Sequence, residues 1–331
     1  MRLRTEIEHA PSDWKIEQTN QIMTLGSCFS DHIGQLFLDD KLPCVVNPFG
    51  TIYNPVSIAT NLCTAIKSEN IDNQLFIEKE TIWHHFDFHS TFWSTSQKDL
   101  WKEIQLTNQH VRETLQKTHI LILTWGTAFV YRQKKTQKIV SNCHKIPSSE
   151  FEKILLTKEE ILASFTLLYT TLKEVNPTLR IILTISPVRH TKDTLTLNSL
   201  SKSLLRVVCH ELQETYPTVY YFPAFEIMQD DLRDYRFYEE DLIHPNKQAI
   251  EYIYTQFRTT YFSENLLKLQ ADWQKIKASL QHRPFYPGTR SHLLFLENLA
   301  RKLVKISSQL PVENEINEVK EQIETMKQKL D

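Results

Sequence analysis

Two short stretches carry side chains able to do acyl chemistry. In Leu25-Gly26-Ser27-Cys28-Phe29 a serine follows an apolar, strand-like run and precedes a helical pattern. A hydroxyl at such a turn stands above the end of a strand and near the positive end of a helix, which favours a negative tetrahedral intermediate. In Asp241-Leu242-Ile243-His244-Pro245-Asn246 the three-residue spacing lets the carboxylate reach one ring nitrogen of His244. The other nitrogen is then free to act as a base. Each stretch also has a plain structural reading, a helix-capping turn in the first case and a capped loop in the second.

Further stretches offer supporting groups. Gly50, in Asn47-Pro48-Phe49-Gly50-Thr51-Ile52-Tyr53-Asn54-Pro55, can bring a backbone N–H to a substrate oxygen, although such a loop is also an ordinary β-to-α connection. Thr127 in Thr124-Trp125-Gly126-Thr127-Ala128, with Asn142 and His144 in Ser141-Asn142-Cys143-His144-Lys145, are candidate side-chain donors to an oxyanion. Arg189 and His190 follow another strand-like run and are placed to contact a polar or acidic substrate. Cys28 is an alternative nucleophile, since a thiol at a helix start can ionise more readily. Its expected position one residue into the helix turns it away from the serine's direction. His84, His85, His89, Cys143 and His144 are residue types that zinc accepts, but their spacing fits no compact finger, so no metal or cofactor is expected.

The elements that must position these groups alternate. Strand-like runs occupy 21–25, 43–47, 120–124, 180–186 and 218–222, and the third and fourth are nearly continuous in apolar or β-branched residues, as strands buried on both faces are. Helical patterns begin at Asn54-Pro55, a capping residue before a proline, and recur at 96–117, 157–174, 194–214 and after Pro245. Such alternation predicts an α/β fold with a mainly parallel five-stranded sheet. Its carboxyl edge would gather the nucleophile, the oxyanion donors and the Asp/His pair. Residues 70–95 break the pattern and read as an insertion. The predicted division is an α/β domain over 1–262 and a helical extension over 263–331. Near its end Val312, Ile316, Val319, Ile323, Met326 and Leu330 form an apolar seam, which suits either packing on its own domain or pairing of two copies in a homodimer.

Composition narrows the class. Thirty-eight basic against 40 acidic side chains argue against a nucleic-acid or membrane-surface partner. No run reaches the ~18 apolar residues of a membrane span, and the opening MRLRTEIEHAPSDW lacks the apolar core of a secretory leader. Five scattered cysteines without a CxxC pair read as reduced thiols, hence a cytoplasmic location. The chain has only five glycines, so each is expected where the backbone requires one.

Taken in order, GSCFS, NPFGTIYNP, LTWGTAFVYR, SNCHKIP, TISPVRH and YFPAFEIMQDDLRDYRFYEEDLIHPN resemble the GSCFA-domain proteins, a branch of the SGNH/GDSL hydrolases. The likeness runs from about residue 20 to 310. It implies a flavodoxin-like three-layer α/β/α sandwich and a serine esterase acting on acyl or acetyl esters, carbohydrate esters among them. Ser27 would be the nucleophile, His244 and Asp241 its partners, and Gly50 the oxyanion glycine, its N–H and that of Ser27 holding the oxyanion. The chain departs from the superfamily at two places. The usual Gly-Asp-Ser opening is Gly-Ser-Cys here, and the third block has Ala128 where an asparagine is usual. Asn142, Thr127 or His144 would have to replace that donor. The alternative is a non-catalytic or weakly active protein that binds carbohydrate or lipid on the same scaffold.

Overall fold

The computed structural model describes residues 5–8 and 11–330; part of the N-terminal stretch read for a leader lies outside them. The chain divides into two compact units. One comprises Met1–Ala10, Asn20–Leu36 and Cys44–Phe257, the other Pro11–Thr19, Phe37–Pro43 and Arg258–Asp331.

The first unit is built on a five-stranded, all-parallel sheet of β1 (Ile22–Gly26), β2 (Cys44–Val46), β5 (Ile120–Trp125), β9 (Arg180–Ile185) and β10 (Val219–Phe222). These are the five strand-like runs of the sequence. Their spatial order is β10-β9-β5-β1-β2, which counted along the sheet strands alone is the 2-1-3-4-5 order of the flavodoxin-like fold. β1 and β5 are buried at every position, which explains why their sequences lack a polar face. Helices α1 (Cys28–Asp39), α2 (Pro55–Lys67), α3 (Gln97–Leu115), α4 (Lys158–Val175) and α5 (Thr194–Thr215) connect the strands. After β10 come a single turn, α6 (Ala224–Glu226), and helix α7 (Lys247–Tyr261). The fold is a three-layer α/β/α sandwich.

Helix starts follow the capping residues. Asn54 accepts from the Ser57 N–H ahead of α2, Ser96 from Asp99 ahead of α3, and Thr157 with Glu160 forms a capping box on α4. Two small antiparallel sheets flank the main one. β3 (Phe76–Lys79) pairs with β4 (Ile82–His85), in the stretch read as an insertion. β6 (Phe129–Gln133) pairs with β7 (Ile139–Val140) and β8 (Phe151–Leu155). This second ribbon was not anticipated, because its strands are short and carry no sustained alternation.

In the second unit, α8 (Glu264–Leu280), α9 (Arg290–Ile306) and α10 (Glu313–Leu330) share a core of Trp273, Leu296, Leu299, Leu303, Val312, Val319 and Met326. Ile316 and Ile323 pack against it, while Leu330 stays exposed. The apolar seam is thus largely covered by its own unit. None of the described helices is long and apolar enough to cross a membrane.

Candidate active site

In an open parallel sheet, ligands bind beyond the carboxyl ends of the strands where the strand order reverses. Here that point lies between β1 and β5, and both Gly26-Ser27-Cys28 and Gly126-Thr127 leave the sheet there. Gly26 has φ +142°, and a Cβ at this position would stand 2.1 Å from the Thr124 carbonyl oxygen, so no larger residue fits. The turn is held on every side. Gly26 N–H donates to Asn47 Oδ1 (2.8 Å), Asn47 Nδ2 donates to Asp31 Oδ1 (2.6 Å), and Ser27 N–H donates to the Thr124 carbonyl (3.1 Å). α1 starts at the next residue, Cys28.

A cleft of about 410 Å³ opens at this edge. Cys28, Tyr53, Asn54 and Thr127 line it, with Tyr131 and Lys153 from the β6–β8 ribbon and Arg189, His190 and His244 from the loops after β9 and β10. The Asp241–His244 loop is tightly organised. Asp241 Oδ1 accepts the Ile243 (2.8 Å) and His244 (3.0 Å) N–H groups, and Asp241 Oδ2 lies 2.6 Å from His244 Nδ1. These bonds, the His244 backbone first, hold the Asp241 carboxyl down at about 2. With Nδ1–H given to the carboxylate, Nε2 is the ring's free acceptor. Leu242 takes φ +57° at the tip, and Glu239 N–H donates to the His244 carbonyl (2.8 Å), which fixes the backbone at His244.

Cys28 is largely buried, and this burial pushes its thiol above the ordinary value, with Asp31 acting in the same direction. Its own N–H, that of Phe29 and the Lys202 ammonium oppose the rise. Lys202 is fully buried and donates to the carbonyls of Gly126 and Ser186, both at 2.7 Å, tying the ends of β5 and β9 together. Burial brings its ammonium down to about 7. Near neutral pH the cleft therefore holds a protonated thiol.

The sequence profile of the GSCFA family matches residues 21–257, and that of the GSCFA domain protein C-terminal domain matches 273–325. The chain belongs to the GSCFA family. A comparison with curated proteins finds no match. Among solved structures, a Streptococcus pneumonia protein provisionally described as a platelet activating factor is 12% identical, with a TM-score of 0.37 over 72% of this chain and 84% of that one. A carbohydrate esterase family 3 protein from Talaromyces cellulolyticus is 11% identical, with a TM-score of 0.35 over 77% and 99%. Likenesses this faint carry no inference about the reaction.

Within this GSCFA protein, the structure separates the expected site residues. Asp241 and His244 are hydrogen-bonded, and His244, Arg189, His190 and Thr127 reach the cleft. Ser27 does not: it is completely buried, its Oγ has no partner, and the cleft wall passes to Cys28. The reason is the Gly26 turn, which directs residue 27 into the sheet edge and makes residue 28 the first of the helix. Gly50 is also displaced. It has φ +72°, its N–H is given to the Asn47 carbonyl (2.7 Å), and it packs on His89 outside the cleft wall. Asn142 accepts the His144 N–H, and His144 donates Nε2–H to the His85 carbonyl (2.9 Å) while stacking on His84, so neither lines the cleft. Thr127 lines it, but its hydroxyl is shared with Ser201 (3.1 Å) and accepts the Phe129 N–H.

Arg189 and His190 are held by the protein itself. Arg189 donates to the Tyr238 hydroxyl (2.7 Å) and lies over that ring at 4.2 Å. His190 meets Tyr53 edge-on, and burial lowers its imidazole to about 3. Asn54 is a cleft residue first read only as a helix cap. One Nδ2 hydrogen goes to Ser57 Oγ (2.9 Å), which leaves its second for a ligand. The histidines and Cys143 do not converge on a common point; among the described residues no group of three potential ligands could hold a metal ion.

Proposed function

We propose that this protein is a cysteine-dependent acyl hydrolase of SGNH type, with Cys28 in place of the serine. The observation that carries this reading is that Cys28, and not Ser27, shares a cleft with the Asp241-oriented His244. Aligned position by position with Gly-Asp-Ser, the segment Gly26-Ser27-Cys28 puts sulfur where the superfamily has its nucleophilic oxygen.

In the proposed reaction, His244 Nε2 removes the thiol proton as Sγ bonds to the ester carbonyl carbon. Asp241 holds the ring and balances the imidazolium. The Cys28 N–H at the start of α1 and the second Nδ2 hydrogen of Asn54 receive the oxyanion, Asn54 replacing the asparagine missing at Ala128. As the intermediate collapses, the carbon–alkoxide bond breaks and imidazolium returns the proton to the leaving alcohol. Water then attacks the thioester with His244 again as base, releasing the carboxylic acid and restoring the thiol.

Lys192, the Lys153–Asp193 ion pair and the rings of Phe129 and Tyr131 line the cleft and suit an acyl ester with a polar portion, acylated carbohydrate included. Hydrolysis of an aryl acetate and longer acyl esters tests the proposal. Cys28→Ala should abolish turnover, His244→Ala should remove most of it, and Ser27→Ala should leave it within about threefold. Loss of turnover in Ser27→Ala alone, or no turnover by the unaltered chain, would overturn it.

A further inference from the structure

A second recess of about 740 Å³ lies in the same α/β unit, bounded by α2, α3, β4 and the β6–β7 hairpin. It shares the β6–β7 ribbon with the cleft but none of the cleft's lining residues. Tyr131 and its register partner Val140 line the cleft, whereas the next pair, Arg132 and Ile139, lines the recess.

The recess is mainly polar, with one exposed carboxylate, Glu69, in its lining. Its cations are already engaged, Lys138 with Asp72 and Arg132 with Glu152. Asp87 lines it, and its carboxyl oxygens have no hydrogen-bond partner among the described residues, although its backbone is fixed by Asn61 Nδ2 (2.7 Å) and by its own N–H donation to His85 Nδ1 (3.2 Å). Burial, with Asp72 nearby, raises that carboxyl to about 7, so near neutrality it is a donor as well as an acceptor. Thr60 and Thr64 add hydroxyls and Asn108 an amide whose oxygen has no partner, over a buried apolar floor of Phe88 and Leu75. Hydroxyl, amide and carboxyl groups over an apolar floor match the hydroxyl and C–H surfaces of a sugar ring, and the volume is ample for one or two such rings.

We propose that this recess is a second binding site, separate from the cleft, for a neutral polyhydroxylated ligand, a sugar residue or short oligosaccharide. The experiment is saturation-transfer NMR and calorimetric titration of the full chain with cellobiose, chitobiose, xylotriose and maltotriose, with putrescine and citrate as charged controls. At least one sugar should bind, and neither control should compete with it. Thr64→Trp, which fills the recess from α2, should weaken that binding tenfold or more while ester turnover stays within about twofold. Asp87→Ala, which keeps the recess open but removes the unpartnered carboxyl, should weaken it up to about tenfold, as loss of one or two hydrogen bonds does. Cys28→Ala should leave the affinity unchanged. Failure of every sugar to bind, affinity unchanged in Asp87→Ala, or loss of affinity in Cys28→Ala would overturn the proposal. So would affinity unchanged in a folded Thr64→Trp; should that variant not fold, the Asp87→Ala result decides.

Discussion

Acid should unfold this protein through three histidines held neutral, and the size of the effect follows from their surroundings. A charged imidazole needs two acceptors. His144 has one, since Nε2 donates to the His85 carbonyl and Nδ1 is buried without a partner. His85 Nδ1 already accepts the Asp87 N–H, so a proton placed there would face another donor. His190 Nε2 is buried and unpartnered. Burial accordingly lowers His85 and His144 to about 4 and His190 to about 3. Each folded value lies below the unfolded ~6.5, so the stability they contribute is complete above pH 6.5 and is lost as pH falls toward 4.

Asp87 acts in the opposite sense. Its carboxyl is raised to about 7, so the folded form holds a proton that the unfolded chain releases between pH 7 and 4. Asp241 titrates only below this window. Near pH 5 the unfolded chain should therefore bind about three protons more at the histidines and about one fewer at Asp87. A net uptake of about two protons corresponds to roughly 2–3 kcal/mol per pH unit. Urea unfolding at closely spaced pH values between 5 and 6 reads this slope directly. His144→Gln should reduce the uptake to about one proton, and Asp87→Asn should increase it to about three. A slope below one proton, or one insensitive to both substitutions, would refute this account of the buried histidines.

Other outcomes follow from single contacts. Gly26→Ala should destabilise the fold by several kcal/mol, or prevent folding, because a Cβ meets the Thr124 carbonyl at 2.1 Å in a backbone conformation that disfavours side chains; thermal unfolding of the purified variant checks this. Lys202→Met should cost about 2–4 kcal/mol in urea unfolding at neutral pH, since the Gly126 and Ser186 carbonyls lose their donor in the interior, partly offset by relief of a buried cation. Asp241→Asn should lower kcat/KM for ester hydrolysis by about 10²–10⁴ with the melting temperature nearly unchanged, as the ring loses its orienting acceptor. Ser27→Ala should leave stability equal or raise it by up to about 1 kcal/mol, because the hydroxyl it removes is buried and unpaired.

The sheet was legible in the sequence because its central strands are buried on both faces, so ILILT and RIILTIS have almost no polar interruption. The Asp241–His244 pair was legible for a local reason: three residues of spacing suffice to close the hydrogen bond. Which side chain reaches the cleft was not legible from the spacing of Gly26-Ser27-Cys28 alone, because the turn at Gly26 buries Ser27 and leaves Cys28 on the cleft wall. Three of the expected oxyanion donors, Gly50, Asn142 and His144, lie off the cleft for similar reasons. Gly50 has the dihedral of a special glycine, but its N–H closes its own loop, and Asn142 and His144 lie in a loop whose own hydrogen bonds keep them out of the cleft. The β6–β8 ribbon escaped notice because two- to five-residue strands pair across a distance of sequence that no local pattern records.

The most direct measurement is to trap the acyl-enzyme by rapid acid quench during turnover of an activated acetate ester and to map the added acetyl group by peptide mass spectrometry. The account predicts the label on Cys28, as a thioester that hydroxylamine at neutral pH removes. An acetyl group on Ser27, stable to that treatment, would contradict it.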